Sequence, residues 1–159
     1  MRIGIDTWID LIPEAYFGDG PKAQEGFSLC TSFDEDGIPN THIHVGPYGE
    51  RVSKTIPKIV KLLVDEGHNL IVDEVLLGEN HYQDILKDYT VYYIGVTCEL
   101  SVLESREKKR GDRCLGMARA QSHIVHKAIQ RYDEMVDTTY ESSDDIARRI
   151  LKKYIEPTP

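Results

Sequence analysis

No stretch of the 159 residues stays apolar for the roughly 18 positions that a membrane span requires. The opening MRIGIDTWIDLIPEA places acidic residues where a secretory leader needs an unbroken apolar core. The expectation is a cytoplasmic protein with no membrane association. Positive charge is also scarce: 19 Lys and Arg against 27 Asp and Glu leave a net charge of -8, which argues against general binding to nucleic acid, because phosphate backbones are held by summed positive charge. The three cysteines, Cys30, Cys98 and Cys114, are odd in number and have no CxxC spacing, so neither a disulfide framework nor a zinc knuckle is indicated. Internal repeats and low-complexity segments are missing as well. What is present is 40% hydrophobic and 29% charged residues in a length that suits one compact domain, expected over residues 1–159.

The pattern along the chain alternates strand and helix. RIGID reads as a strand with Asp6 at its carboxyl end, and TWIDLI as a short helix stopped by Pro13. Between Gly18 and Pro47 eight residues are glycine or proline, and FSLCTSFDEDGIPNTHIHVG reads as two strands around an Asp-Gly turn, an insertion or lid. KTIPKIVKLLVDEG puts Ile56, Ile59, Val60 and Leu63 on one helical stripe, closed by Gly67. NLIVDEVLL is a strand, ENHYQDILKDY a helix with Tyr82, Ile85, Leu86 and Tyr89 inward, and TVYYIGVTC a strand apolar enough for burial on both faces. The segment from Leu103 to Thr139 reads as a helix pair or bent helix, with Met117, Gln121, Ile124 and Ala128 stacked, and then the strand EMVDTT. SSDDIARRILKKYI closes the chain as a helix capped by Ser142 or Ser143, with Ile146, Ile150 and Tyr154 inward. Repeated strand-then-helix order implies a parallel α/β sheet with flanking helices, whose ligands sit at the carboxyl ends of strands.

Candidate chemistry gathers at such positions. Asp6 lies after a strand and before a helix, where a carboxylate takes a proton from a substrate hydroxyl or simply caps the helix. NLIVD has the form of a strand that helps hold magnesium in nucleotide-binding folds, which makes Asp73, followed by Glu74, a magnesium-associated candidate. Asp137 reads as a strand-end cap. Within a helix, Arg106, Arg110 and Arg113 fall at i, i+4 and i+7 and present three guanidinium forks on one face, a grip for phosphate. The bland alternative is a solvated face with weak ion pairs to Glu104, Glu107 and Asp112. His123 and His126 share a helical face with no third ligand near in sequence, and His42 and His44 share one side of a strand that Asp34 and Asp36 reach only by a favourable turn, so no metal site is expected at either pair. Cys98 reads as core, with no adjacent cation, whereas Cys114 beside Arg113 has a better electrostatic case for reactivity.

GIDTWIDLIP, HVGPYGERV, NLIVDEVLL and VYYIGVTCELSVLESREKKRGDRCLGMARAQSHIVHKAIQRYDEMVDTTYES occur in the order and spacing of a known family. Across nearly its whole length the chain resembles the chloramphenicol phosphotransferase-like family of P-loop kinases. The resemblance implies a P-loop NTPase fold, ATP and Mg2+ as the phosphoryl donor system, and transfer to a hydroxyl of a small molecule, an antibiotic modification in the founding case. It implies Asp6 as the base, and Arg110 and Arg113, with Arg106, as lid residues that approach the phosphates.

One family feature is missing. The family begins with a strand, the loop G-x-x-x-x-G-K-[ST] and a helix, and none of the twelve glycines here opens such a loop; GDGPK and GPYGERVSK fail on spacing. The chain therefore reads as a P-loop-kinase-like domain without its first strand and P-loop, N-terminally truncated and inactive as written. The alternative reading is a non-catalytic protein that binds a small molecule or anion. With the family's central strand gone, NLIVDEVLL and VYYIGVT are expected to pair directly with each other or to recruit a strand from another chain, so that the product self-associates.

Overall fold

The computed structural model describes residues 1–76, 79–111 and 113–156. Leu77, expected to end a strand, and Asp112, expected as an acidic neighbour of the arginines, lie outside them.

Strand β1 (Arg2–Gly4) runs directly into helix α1 (Ile5–Ile9) and pairs in parallel with β5 (Ile71–Asp73), Ile3 opposite Val72 and Gly4 opposite Asp73. Residue 4 is tightly approached by β5: a Cβ there would stand 3.1 Å from the Asp73 carbonyl oxygen and 3.2 Å from its Cβ, so a side chain would need Asp73 to shift by a few tenths of an ångström. A second sheet contains β2 (Phe17–Gly18), β3 (Phe27–Phe33) and β4 (Pro39–Val45), the last two forming the expected antiparallel hairpin. At its turn Asp34 Oδ1 accepts the Asp36 and Ile38 N–H groups and Gly37 takes a positive φ of 75°. The third sheet is the parallel pair β6 (Ile94–Thr97) and β7 (Glu134–Asp137).

Helix α2 (Pro47–Asp65) starts seven residues before the expected stretch, because Pro47 with its fixed φ occupies the first helical position. Ile56 and Val60 are buried and Leu63 packs against the same cluster, but Ile59 is exposed, being about 100° around the helix from Val60 and thus off the edge of the stripe. With Ile3, Trp8, Tyr82 and Leu86 these residues form the core between α2 and the β1–β5 pair.

The strand and helix lengths depart from the sequence reading. Among the described residues of NLIVDEVLL only Ile71–Asp73 are strand, each paired with one of the three residues of β1. The expected helix over ENHYQDILKDY is a series of turns: the Asn80 side chain accepts the Tyr82 N–H, an Asx turn that competes with a helical start. Tyr82 and Leu86 still reach the core through one i to i+4 bond, Leu86 N–H to the Tyr82 carbonyl. Direct pairing of β5 with β6 does not occur. Among the described residues each is hydrogen-bonded along one edge only, β5 to β1 and β6 to β7, in two separate parallel pairs.

The arginine segment is a helix pair, α3 (Leu100–Arg110) and α4 (Met117–Ser122), with turns beyond His123 where the apolar stripe suggested more helix. Helix α5 (Ser143–Ile150) starts at the Ser142 cap, whose Oγ accepts the Asp145 N–H, buries Ile146 and continues as a π-helical turn, Leu151–Ile155. Among the described residues no helix is long and apolar enough to cross a membrane.

Candidate active site at the carboxyl ends of the parallel strands

Because β1 and β5 are parallel and in register, both deliver a carboxylate to the same end. Asp6 stands in the first turn of α1, two residues beyond Gly4, and Asp73 ends β5 opposite Gly4. They line a cavity of about 200 Å³ together with Arg2, Gly4 and Thr7. Arg113, on the segment between α3 and α4, approaches Asp6, its Nη2 3.6 Å from Asp6 Oδ1. Both side chains are largely open to water, 42% and 73% exposed, so the pair adds at most about 1 kcal/mol to stability and remains open to exchange with a ligand. Asp73 pairs with Arg2, Nη2 to Oδ2 3.0 Å. Sequence reading had no signal for that partner, which sits 71 residues away.

The three arginines do not share one face. Gly111 takes a left-handed conformation, φ 70°, and ends α3 at Arg110, so Arg113 lies past the helix and its direction is set by the following turn. Arg110 is the last residue of α3. Arg106 is directed to the ends of β6 and β7, donating from Nη2 to the Thr138 carbonyl at 2.7 Å, and from Nη1 to Thr138 Oγ1 at 3.1 Å and Cys98 Sγ at 3.4 Å. The expectation that Cys98 has no adjacent cation is corrected by this contact, which depends on the tertiary approach of α3 to β6.

The segment carrying Arg113 is fastened at its far end. Glu107, buried on α3, accepts the Gly116 and Ala118 N–H groups, both at 2.8 Å, and so supplies acceptors for backbone donors at the start of α4. Fully buried Thr41 on β4 bonds the same turn twice: its N–H donates to the Gly116 carbonyl at 3.1 Å and its hydroxyl to the Leu115 carbonyl at 2.7 Å. Gly116 has φ 90°, and a Cβ there would lie 2.5 Å from the Pro39 carbonyl oxygen. The hairpin, read from sequence as an insertion or lid, is therefore a support for the arginine loop. Glu104 pairs with Arg119 at 2.6 Å and ties α3 to α4. Neither Glu104 nor Glu107 is the solvated partner that the bland reading assigned.

Asp137 behaves as the expected strand-end cap: its Oδ1 accepts the Thr139 N–H at 2.8 Å, and hydrogen bonding from Thr139 holds its carboxyl below the ordinary range. His126 Nδ1 is 3.0 Å from the Tyr132 hydroxyl. Cys114 is exposed. No three His, Cys, Asp or Glu side chains among the described residues are grouped to hold a metal ion.

On the other side of the same strand ends lies a second cavity of about 210 Å³, between α2, the hairpin and the residues after β5. Glu74 borders it. Burial pushes the Glu74 carboxyl above its ordinary range, against the opposing pull of the Tyr82 hydroxyl, which donates to Oε1 at 2.5 Å. The Tyr82 hydroxyl is raised in turn, first by burial and then by the neighbouring Glu74 charge. Sequence reading named Glu74 only as the neighbour of Asp73.

Parallel strand pairs with flanking helices define an α/β protein, and the carboxylates collected at its strand ends lie where such sheets bind ligands. The chain belongs to the chloramphenicol phosphotransferase-like family, whose match runs over residues 1–155. It is similar to two Mycobacterium tuberculosis proteins from different strains, each named "Putative O-phosphotransferase" and each 26% identical over 157 residues, a span covering 97% of this chain and 69% of the relative.

Proposed function

We propose that residues 1–159 act as one domain in the transfer of a phosphoryl group from ATP to a hydroxyl of a small molecule. Asp6 accepts the hydroxyl proton as the oxygen attacks the γ-phosphorus, the bond from that phosphorus to the β,γ-bridging oxygen breaks, and ADP leaves. Arg113, with Arg110, neutralises charge on the transferring group. The observation that carries this reading is the 3.6 Å approach of Arg113 to Asp6 at the carboxyl ends of β1 and β5, which sets a proton acceptor beside a permanent cation. Family membership and the names of the two relatives support the reaction class.

Binding ATP calls for a backbone cradle, a lysine on the β- and γ-phosphates and a hydroxyl ligand for magnesium, and no G-x-x-x-x-G-K-[ST] occurs in the 159 residues. Asp73 is tied to Arg2 and belongs to no group of three carboxylate, imidazole or thiol ligands among the described residues, so these residues do not by themselves fit a magnesium site. We assign this chain the acceptor and lid half of the reaction. Purified residues 1–159 incubated with Mg-ATP and hydroxylated acceptors, chloramphenicol included, should yield no phosphorylated product by mass spectrometry. Fusion of a strand and phosphate-cradling loop ahead of Met1 should produce turnover that Asp6→Asn removes. Turnover by residues 1–159 alone, lost in Asp6→Asn, would show that the cradle is dispensable; turnover in the fusion unaffected by Asp6→Asn would remove Asp6 from the chemistry.

A further inference from the structure

The two cavities at the strand ends divide adjacent residues between them: Asp6 and Asp73 face one, Ile5 and Glu74 the other. Ile5 and Asp6 are consecutive, as are Asp73 and Glu74, so the two cavities border the same pair of strand ends. The second cavity has the composition of a small-molecule site. Ile5, Phe27, Val45 and Ile56 give it an apolar wall, and the Glu74–Tyr82 pair gives it a fixed polar point. Its volume of about 210 Å³ equals that of about seven waters, enough for a single-ring compound.

The charges around it are unequal. Glu50, Glu74 and Glu79 border the cavity against one imidazole, His81. Glu50 pairs with Lys54 at 3.2 Å and Glu79 with His81 at 3.3 Å, whereas Glu74 is partnered by the neutral Tyr82 hydroxyl. A ligand cation or hydrogen-bond donor next to Glu74 would offset the desolvation that now opposes its charge, and an anion would add to it. We propose that this cavity is the subsite for the body of the acceptor, and that it takes a neutral or cationic hydroxyl compound with an apolar ring while rejecting anionic ones, Glu74 being the residue that discriminates. This deepens the acceptor role proposed above and rests on it.

Three probes with the same ring and hydroxyl but different charge test the assignment: phenylethanolamine, styrene glycol and mandelate, titrated by calorimetry into the chain without ATP. Phenylethanolamine and styrene glycol should bind, with mandelate weaker than the amine by about tenfold or more. Glu74→Gln should reduce the amine-over-mandelate preference to within about threefold. Ser53→Trp, which fills the cavity from a half-buried position on α2, should weaken all three while leaving the circular dichroism spectrum unchanged. Equal binding of mandelate and amine, a preference that survives Glu74→Gln, or no binding by any probe would overturn the proposal. Because no donor nucleotide is present, these outcomes are separate from the transfer assay: a fusion that phosphorylates an acceptor but fails the charge series loses the subsite alone, and a chain that passes the charge series but yields no transfer loses the phosphotransferase reading alone.

Discussion

Glu107 offers the most direct test of how the arginine loop is held. Its carboxylate accepts two backbone N–H groups, from Gly116 and Ala118, each at 2.8 Å, and the residue is only 9% exposed. A hydrogen bond to a charged acceptor contributes about 1.5–3 kcal/mol, and a buried donor left unmade costs about 1–3 kcal/mol. Glu107→Ala removes both acceptors at once. The two losses share one turn and do not simply add, so a destabilisation of about 3 kcal/mol is expected, against about 0.5 kcal/mol for a surface substitution. Glu107→Gln should fall between them, because its carbonyl oxygen accepts one N–H while its amide group faces the other donor to donor. Urea unfolding followed by far-UV circular dichroism measures the difference, and at a slope of about 2–4 °C per kcal/mol the Ala variant should melt about 6–12 °C lower. In the P-loop fusion the same variant should lose transfer activity, since Arg113 is carried by the loop that Glu107 fastens. An Ala variant within about 0.5 kcal/mol of the native chain would refute the reasoning and return Glu107 to the solvated helix face.

Arg113→Lys in the fusion should lower the transfer rate by about tenfold or more, because a planar fork is replaced by a point charge; equal rates would return Arg113 to a surface ion pair. Glu74 gives a signed pH dependence. Its folded carboxyl is raised above the ordinary value of 4.5, so the folded state binds the proton more tightly, and the contribution is fully present below about 4.5 and lost as pH rises through the folded value. Glu74→Gln should therefore show a smaller decline of urea midpoint between pH 4.5 and 7 than the native chain, and an unchanged or steeper decline would contradict this. Glu134 acts in the opposite sense: Lys153 and then Arg149 lower its carboxyl, so its stabilisation is lost as pH falls below 4.5, and Glu134→Gln should flatten the acid limb of the same curve. With one ladder each, β5 and β6 are expected to drive self-association of residues 1–159, seen in sedimentation as a mass rising above 18.1 kDa with concentration. Val96→Lys, at an exposed position on β6, should reduce it, and a monomer at every concentration would exclude edge pairing.

Local rules carried the sequence reading a long way. The Asp-Gly hairpin, the Ser142 cap, the Gly67 stop with its positive φ, and the strand end at Asp137 all follow from turn chemistry, capping and hydrophobic period, which act over a few residues. Asp6 was read as the carboxylate ending the strand RIGID ahead of a helix from Thr7, but β1 stops at Gly4 and Asp6 lies in the first turn of α1. What depended on partners far along the chain was not legible. β5 is strand over the three residues that pair with β1, and the turns over Tyr82 to Tyr89 replace a helix while an Asn80 side chain holds their start. Burial turned Glu107 from one charge in a basic run into the fastening of a loop, and packing of α3 against the strands placed Arg106 on Thr138 and Cys98. Arg113 met Asp6 only because Gly111 ended the helix and the turn beyond it was fixed by Thr41, residues separated by 70 positions in the chain. Sequence by itself determined the residue types, the local turns and the strand end at Asp137; tertiary structure decided which charges are buried, which are paired and which face each other, because those depend on contacts whose partners the local chain does not contain.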